Sequence, residues 1–115
     1  MDVDGYDFSI GLGDNNVLWQ FPVYEPDGVT PFDPHGAASV TLHTRIDDDS
    51  DVAHDLTGAV FAQAIRPDWV GRSMQAADFA SAGVFLVQAI IVMVTGDRLT
   101  YPSNRKMRVL VEGPA

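Results

Sequence analysis

Hydrophobic and polar positions alternate along this chain in short runs, punctuated by glycine and proline. "ASVTLHTRI" is the cleanest case: Val40, Leu42, Thr44 and Ile46 share one side, and Ser39, Thr41, His43 and Arg45 the other. A period of two is the signature of a half-buried strand. "NNVLWQFPVYEPDG" predicts a second strand, with Val17, Trp19, Phe21 and Val23 pointing one way and a turn at Pro26-Asp27-Gly28. Pro22 has no N–H to give to a neighbour, which places that strand at a sheet edge. "GAVFAQAI" predicts a third, with Phe61, Gln63 and Ile65 on one face and Val60, Ala62 and Ala64 on the other.

"VFLVQAIIVMVTGD" is the strongest element. Its β-branched residues favour strand over helix. Both of its faces are apolar apart from Gln88, which predicts a central strand covered on both sides. One face meets the core, and the other needs a loop or another subunit over it. Gly96-Asp97 reads as a hairpin turn into "RLTYPSNRKMRVLVEG", a final strand with Met107, Val109 and Val111 inward and Arg108 and Glu112 outward. Residues 67–83 read as an irregular segment or one helical turn, with Asp78 at a tight corner before the central strand. Roughly seven short strands and no long helical period predict an all-β sandwich or barrel.

Composition keeps that picture and narrows the function. At 115 residues, 46% hydrophobic and 20% charged, the chain is expected to be one globular domain over 1–115. It has no cysteine, so disulfides and thiolate metal sites are excluded. "MDVDGYDFS" lacks the basic-then-apolar order of a signal peptide, and the longest apolar run, Val84 to Val94, is too short to cross a bilayer. A soluble protein made and assembled inside a cell is expected, without a membrane partner. The net charge of −9 is uneven: residues 1–58 carry twelve acidic groups and one base, Arg45, whereas residues 59–115 carry four acidic groups and six bases. Nucleic acid is an improbable partner for such a chain, because a phosphate backbone needs a basic footprint.

Candidate chemistry is sparse. In "IDDDSDVAHD", Asp47, Asp49 and Asp51 fall on the first three ligand positions of a calcium loop. The sixth position is Val52 rather than glycine and the twelfth is Gly58 rather than glutamate, so that register fails. A looser oxygen cage with Asp55 is the minor alternative to a solvated loop tip. His35, His43 and His54 show no zinc-site spacing. No serine sits in a nucleophile elbow, and "GLGDNN" is followed by neither lysine nor helix. No catalytic constellation, cofactor motif or metal set is expected. Trp19, Trp69 and Tyr101 are the residues that a sugar-stacking platform would use, although Trp19 falls on the core-facing set.

The order of elements carries a resemblance. "YEPDGVTPFDPHGAASVTLHTR" and "AADFASAGVFLVQAIIVMVTGDRLTYPSNRKMRVLV" are similar to the small immunoglobulin-like domains of tailed-phage virions, including the N-terminal domain of baseplate upper proteins. The matching positions are Asp78, Gly83, Gly96-Asp97 and Thr100-Tyr101-Pro102-Ser103, within residues 6 to 112. Ala82-Gly83-Val84-Phe85 replaces the usual Gly-x-Tyr entry; a stand-alone domain without a second one is expected, which favours a capsid decoration (cement) protein over a baseplate protein. The resemblance implies an immunoglobulin-like antiparallel β-sandwich of about seven strands, without catalysis. Its location would be the virion, assembled in the host cytoplasm, with the major capsid protein or tail and baseplate proteins as partners. A homo-oligomer is expected, a trimer fitting capsid threefold positions. Expected contact residues are Arg105, Lys106 and Arg108, Phe85 and Val87 on the long strand, and Trp19 and Phe21 on the edge strand, with residues 1–6 as a docking arm. A carbohydrate-binding module and a small sandwich enzyme are the rival classes.

If the aspartate loop is a hydrated tip, replacing Asp47, Asp49 and Asp51 together by asparagine leaves the melting temperature nearly unchanged. Adding a chelator to the wild type then has no effect either; a large drop in melting temperature with chelator would restore the metal reading.

Overall fold

A computed structural model describes residues 7–13, 17–46, 53–75, 77–79, 82–103 and 106–113, the side chains of Ile46 and Ala53 excepted. The described residues form strands, turns and loops and no helix. Eleven strands follow in order: β1 Phe8–Gly11, β2 Val17–Phe21, β3 Val23–Tyr24, β4 Pro31–Phe32, β5 Ala37–Ile46, β6 Ala53–Thr57, β7 Ala59–Phe61, β8 Trp69–Met74, β9 Gly83–Met93, β10 Arg98–Tyr101 and β11 Met107–Glu112.

The larger sheet runs β1-β11-β9-β5-β6, with β10 also on β9. The expected central strand is β9: β5 pairs along one edge from Phe85 to Met93, and β11 and β10 share the other. All of these pairings are antiparallel; β1 alone joins in parallel, on β11. The smaller sheet is β2-β8-β7, so β2 is an edge strand among the described residues, as expected, although Pro22 lies just past its end rather than within it. Pro22 also separates β2 from β3, which among the described residues pairs with β4 alone. In the β3–β4 hairpin, Asp27 Oδ1 accepts the N–H groups of Val29 and Thr30, both at 2.8 Å, and Gly28 takes a φ of 74°.

The period-two reading of the long strands holds. Val40, Leu42 and Thr44 on β5, Val87, Ala89 and Ile91 on β9, and Met107, Val109 and Val111 on β11 are all buried. Thr44 is tolerated there because its hydroxyl donates to the His54 carbonyl at 2.5 Å. The inner face of the smaller sheet supplies Trp19, Phe21, Val70 and Met74 to the same cluster. Phe8 of the larger sheet meets Trp19 edge-on at 5.5 Å between ring centres, and Phe21 lies 6.3 Å from Tyr101, so aromatic rings close the space between the sheets.

The differences from expectation have local causes. Residues 69–74 form the strand β8 rather than an irregular segment or helical turn, because pairing with β2 and β7 on both sides outweighs the weak local pattern. The "GAVFAQAI" strand stops at Phe61, and Ile65 is 85% exposed. The final strand is two, β10 and β11, which meet successive stretches of β9. Strand β1 was not anticipated; its four residues gain order from β11 rather than from any pattern of their own.

Gly71 lies on β8 opposite Gln20 of β2. A Cβ there would overlap the Trp19 carbonyl oxygen and lie 2.7 Å from Gln20 Cα, backbone that a rotamer change cannot clear. Gly71→Ala is therefore expected to cost about 3 kcal/mol or more, the upper end for overpacking. Gly96, in the β9–β10 turn, has φ 94° and open space around its Cβ position. Gly96→Ala is expected to cost only the left-handed backbone penalty, about 1–2 kcal/mol. Urea denaturation of the two variants checks this order.

Candidate functional site

The outward side of the larger sheet carries a chemically distinct row of residues. With odd-numbered β9 residues turned to the core, Val84, Leu86, Gln88, Ile90 and Val92 face away from it, and all five are half-buried rather than covered. Cross-strand register places Leu110 beside Val84, Arg108 and Arg45 on either side of Leu86, Thr100 and Thr41 beside Ile90, and Arg98 beside Val92. An aliphatic stripe thus runs along β9 between basic and hydroxyl-bearing flanks. Gln88, the polar exception, donates from Nε2 to the Pro102 carbonyl at 3.1 Å and holds the β10–β11 connection against the strand. Arg45 Nε is buried and finds no acceptor among the described residues.

On the same face His43 Nδ1 lies 2.6 Å from Asp55 Oδ1 across β5 and β6. Both side chains are exposed, so the pair is a solvated cross-strand contact of small energetic weight. Asp55 is therefore engaged by histidine. The aspartates at 47, 49 and 51 lie outside the described residues, and among the described residues no group of three potential metal ligands is found.

The expected contact residues separate into three kinds. Trp19, Phe21 and Val87 are 5%, 3% and 0% exposed, so their side chains are committed to the chain's own core and offer no contact surface. Phe85 points the same way as Val87, half-buried against Phe79 with ring centres 4.8 Å apart. The contact face of β9 is the even-numbered set instead, because a strand presents alternate residues to opposite sides. Lys106 is half-buried and Arg108 exposed, both already engaged by other groups, and Arg105 and residues 1–6 lie outside the described residues.

Two charged clusters escaped the sequence reading because their members are far apart in the chain or lacked a motif. In the first, Arg72 on the inner side of β8 donates from Nε and Nη2 to the two oxygens of Asp78, each at 2.8 Å. Its Nη1 donates to the Thr57 carbonyl at 2.8 Å, and Asp78 Oδ2 also accepts the Gln75 N–H. Burial pushes the Asp78 carboxyl up, but the Arg72 hydrogen bonds, the Gln75 N–H and the nearby Arg72 and His54 charges outweigh it and hold the carboxyl below its ordinary value. The Asp78 hydrogen bonds likewise raise the Arg72 guanidinium.

In the second cluster, Asp68 is 3% exposed and lies 3.0 Å from His35 Nδ1. Arg66 Nη2 donates to His35 Nε2 at 3.1 Å, so the ring proton sits on Nδ1 and points to Asp68. Asp33 Oδ1 accepts the backbone N–H groups of His35 and Asp68, closing the clasp between residues 33–35 and 66–68. The His35 hydrogen bond leads in lowering the Asp68 carboxyl, against the opposing effect of burial. A buried carboxylate orienting a histidine is half of a nucleophile-activating arrangement. Here the free ring nitrogen is occupied by Arg66 and no hydroxyl bonds it among the described residues, so the cluster ties loops together.

The aromatic residues do not form one platform. Trp19 is buried, Trp69 lies on β8 of the smaller sheet and Tyr101 on β10 of the larger one, packed against Phe21 and Tyr24. Compared with protein-family models, curated proteins and solved structures, the chain matches none.

Asp68 and Asp78 both have folded-state pKa values below the ordinary ~3.9 of an unfolded aspartate. The stability they provide is complete above that value and is lost as pH falls through their lowered folded values. Asp78→Asn is expected to cost roughly 2–3 kcal/mol near neutral pH, as a charged hydrogen-bonded pair loses one partner. It should also flatten the acid side of the stability curve. Thermal melts between pH 7 and 2 check both, and an acid limb as steep as that of the wild type would contradict the assignment.

Proposed function

We propose that this chain is a non-catalytic structural protein of a tailed-phage virion, an immunoglobulin-like β-sandwich that decorates the capsid by binding the major capsid lattice. The observation that carries the binding role is the aliphatic stripe Val84, Leu86, Ile90, Val92 and Leu110 on the outward side of the larger sheet, flanked by Arg45, Arg98 and Arg108. An apolar strip rimmed by polar groups, here interrupted once by Gln88, suits a protein contact surface. The basic flanks suit an acidic patch on the partner.

The immunoglobulin-like reading is supported by strand order. The β2-β8-β7 sheet faces a sheet in which β9 lies between β5 and the β10–β11 pair, with β6 beyond β5. That order is compatible with strands B, E and D opposite G, F, C and C′ of a variable-type domain. The decoration role rests on the resemblance to virion domains carried by Asp78, Gly83, Gly96-Asp97 and Thr100 to Ser103. A protein that binds only the assembled lattice stabilises that lattice by mass action, without chemistry. A tail or baseplate accessory is the same kind of molecule on a different neighbour. The carbohydrate-binding alternative is disfavoured by the separation of Trp69 and Tyr101 on different sheets.

Purified protein added to undecorated capsids of the encoding phage is expected to co-sediment at a fixed ratio to the major capsid protein. Ile90→Glu, which puts a charge in the stripe, should weaken binding at least about tenfold, equivalent to about 1.4 kcal/mol, and leave the melting temperature within a few degrees. Binding to isolated tails alone would move the protein to the tail. No binding to heads or tails would overturn the virion reading.

A further inference from the structure

We propose that His35 is a proton-operated switch for Arg66: the neutral ring holds the guanidinium, and the protonated ring hands it to Asp33. The switch follows from what each ring nitrogen does. Nδ1 lies 3.0 Å from Oδ2 of the buried Asp68, and Nε2 accepts from Arg66 Nη2 at 3.1 Å. Only a neutral imidazole can accept a hydrogen bond; an imidazolium donates from both nitrogens. The two ends of the ring therefore respond to a proton in opposite ways. On the Nδ1 side, the existing hydrogen bond becomes a charged pair with Asp68 and tightens. On the Nε2 side, a new N–H points at a guanidinium that has five donors and no acceptor, and that bond is lost.

A second partner for Arg66 is already in place. Its Nη1 lies 3.9 Å from Asp33 Oδ2, within ion-pair range but beyond a hydrogen bond. Asp33 is fixed by its other oxygen, which accepts the His35 and Asp68 backbone N–H groups at 3.0 and 3.1 Å. Released from the ring, the guanidinium closes on Oδ2 to the ~2.8 Å of a charged hydrogen bond. The charged groups around the ring are thus Asp68 on the Nδ1 side, and Arg66 with Asp33 beside it on the Nε2 side. With a neutral ring they sum to −1, two carboxylates against one guanidinium; the imidazolium brings the sum to zero.

Exposure lets the exchange happen without moving a strand. The His35 and Arg66 side chains are 55% and 59% exposed, so water reaches both the ring and the guanidinium. Carboxylates ordinarily take protons well below imidazoles. The His35 hydrogen bond leads in holding the Asp68 carboxyl lower still, so Asp68 stays ionised while the ring takes its proton. Asp68 Oδ1 also keeps the Gln63 N–H, at 3.3 Å, which fixes the two ends of the loop between β7 and β8. The clasp is therefore rewired rather than opened, with Arg66 as the moving part. The switch lies in loops away from the β9 stripe and does not depend on what the stripe binds.

Nuclear magnetic resonance of the whole protein, labelled in histidine and arginine, tests the switch between about pH 8 and about pH 5, above the range in which carboxylates take protons. At the upper end His35 should carry its proton on Nδ1 alone. As Nε2 takes a proton, the Arg66 Cζ and Nη signals should shift with the same midpoint, and the nuclear Overhauser contact between guanidinium and ring should be lost. This titration of the wild type needs no substitution. His35→Gln, which offers Arg66 an acceptor but takes no proton, should abolish the Arg66 shift. Asp33→Asn keeps the oxygen that accepts the two backbone N–H groups but removes the charge. In that variant Arg66 should leave the ring in acid without a new partner, and its side-chain couplings should average there but not at neutral pH. A ring still neutral at about pH 5, Arg66 signals that stay constant as His35 takes its proton, or an equal Arg66 shift in His35→Gln would each overturn the switch. An acid state of Arg66 unchanged by Asp33→Asn would overturn the transfer to Asp33.

Discussion

The fork between Arg72 and Asp78 is the contact on which the arrangement of the two sheets depends. Arg72 stands on the inner side of β8, in the smaller sheet, where an unpaired charge would be expelled. Asp78 precedes β9, the strand that organises the larger sheet, and the third guanidinium bond goes to Thr57, at the end of β6. One planar side chain therefore ties the smaller sheet, the entry of the central strand and the β6 end together with fixed directions. Apolar packing draws the sheets together but is indifferent to small slides; a bidentate guanidinium–carboxylate pair is not. The pair need not raise net stability greatly over an apolar substitute to serve this role, since its desolvation cost offsets much of its attraction.

With that registry set, the surfaces fall into place. β9 turns its odd residues into the core and its even residues out, and β5 and β11 add Arg45, Arg108 and Leu110 to the outward side. The same geometry leaves β2 at the border of the smaller sheet. The molecule thus has two contrasting exposed features, a broad striped face on one sheet and a short uncharged edge on the other.

Legibility in the sequence follows the physics of each element. β5, β9 and β11 were readable because long strands with one or two buried faces must write their burial into composition. The Asp27 turn was readable because its hydrogen bonds are local, from Asp27 to Val29 and Thr30. β8 was not, since "WVGRSM" mixes aromatic, glycine, arginine and serine and takes its conformation from β2 and β7. Trp19 and Phe21 were readable as core from their shared apolar side, which left them no contact role, whereas Val87 was not, because both faces of β9 are apolar and alternation there does not say which side the core takes. The clasp of His35, Asp68 and Arg66 spans more than thirty residues and follows no motif, so no local pattern could disclose it.

By itself the sequence determined an all-β chain, its long strands, its edge strand at Pro22, its acidic balance and the absence of cysteine chemistry. These are properties of nearest neighbours and of composition, in which each residue's preference is decided by the residues beside it. Only the tertiary structure decided which side of β9 faces outward and that Arg72 and Asp78 are partners. Those depend on which strands lie side by side, and strand order comes from the summed burial and pairing of segments far apart in the chain rather than from any one segment.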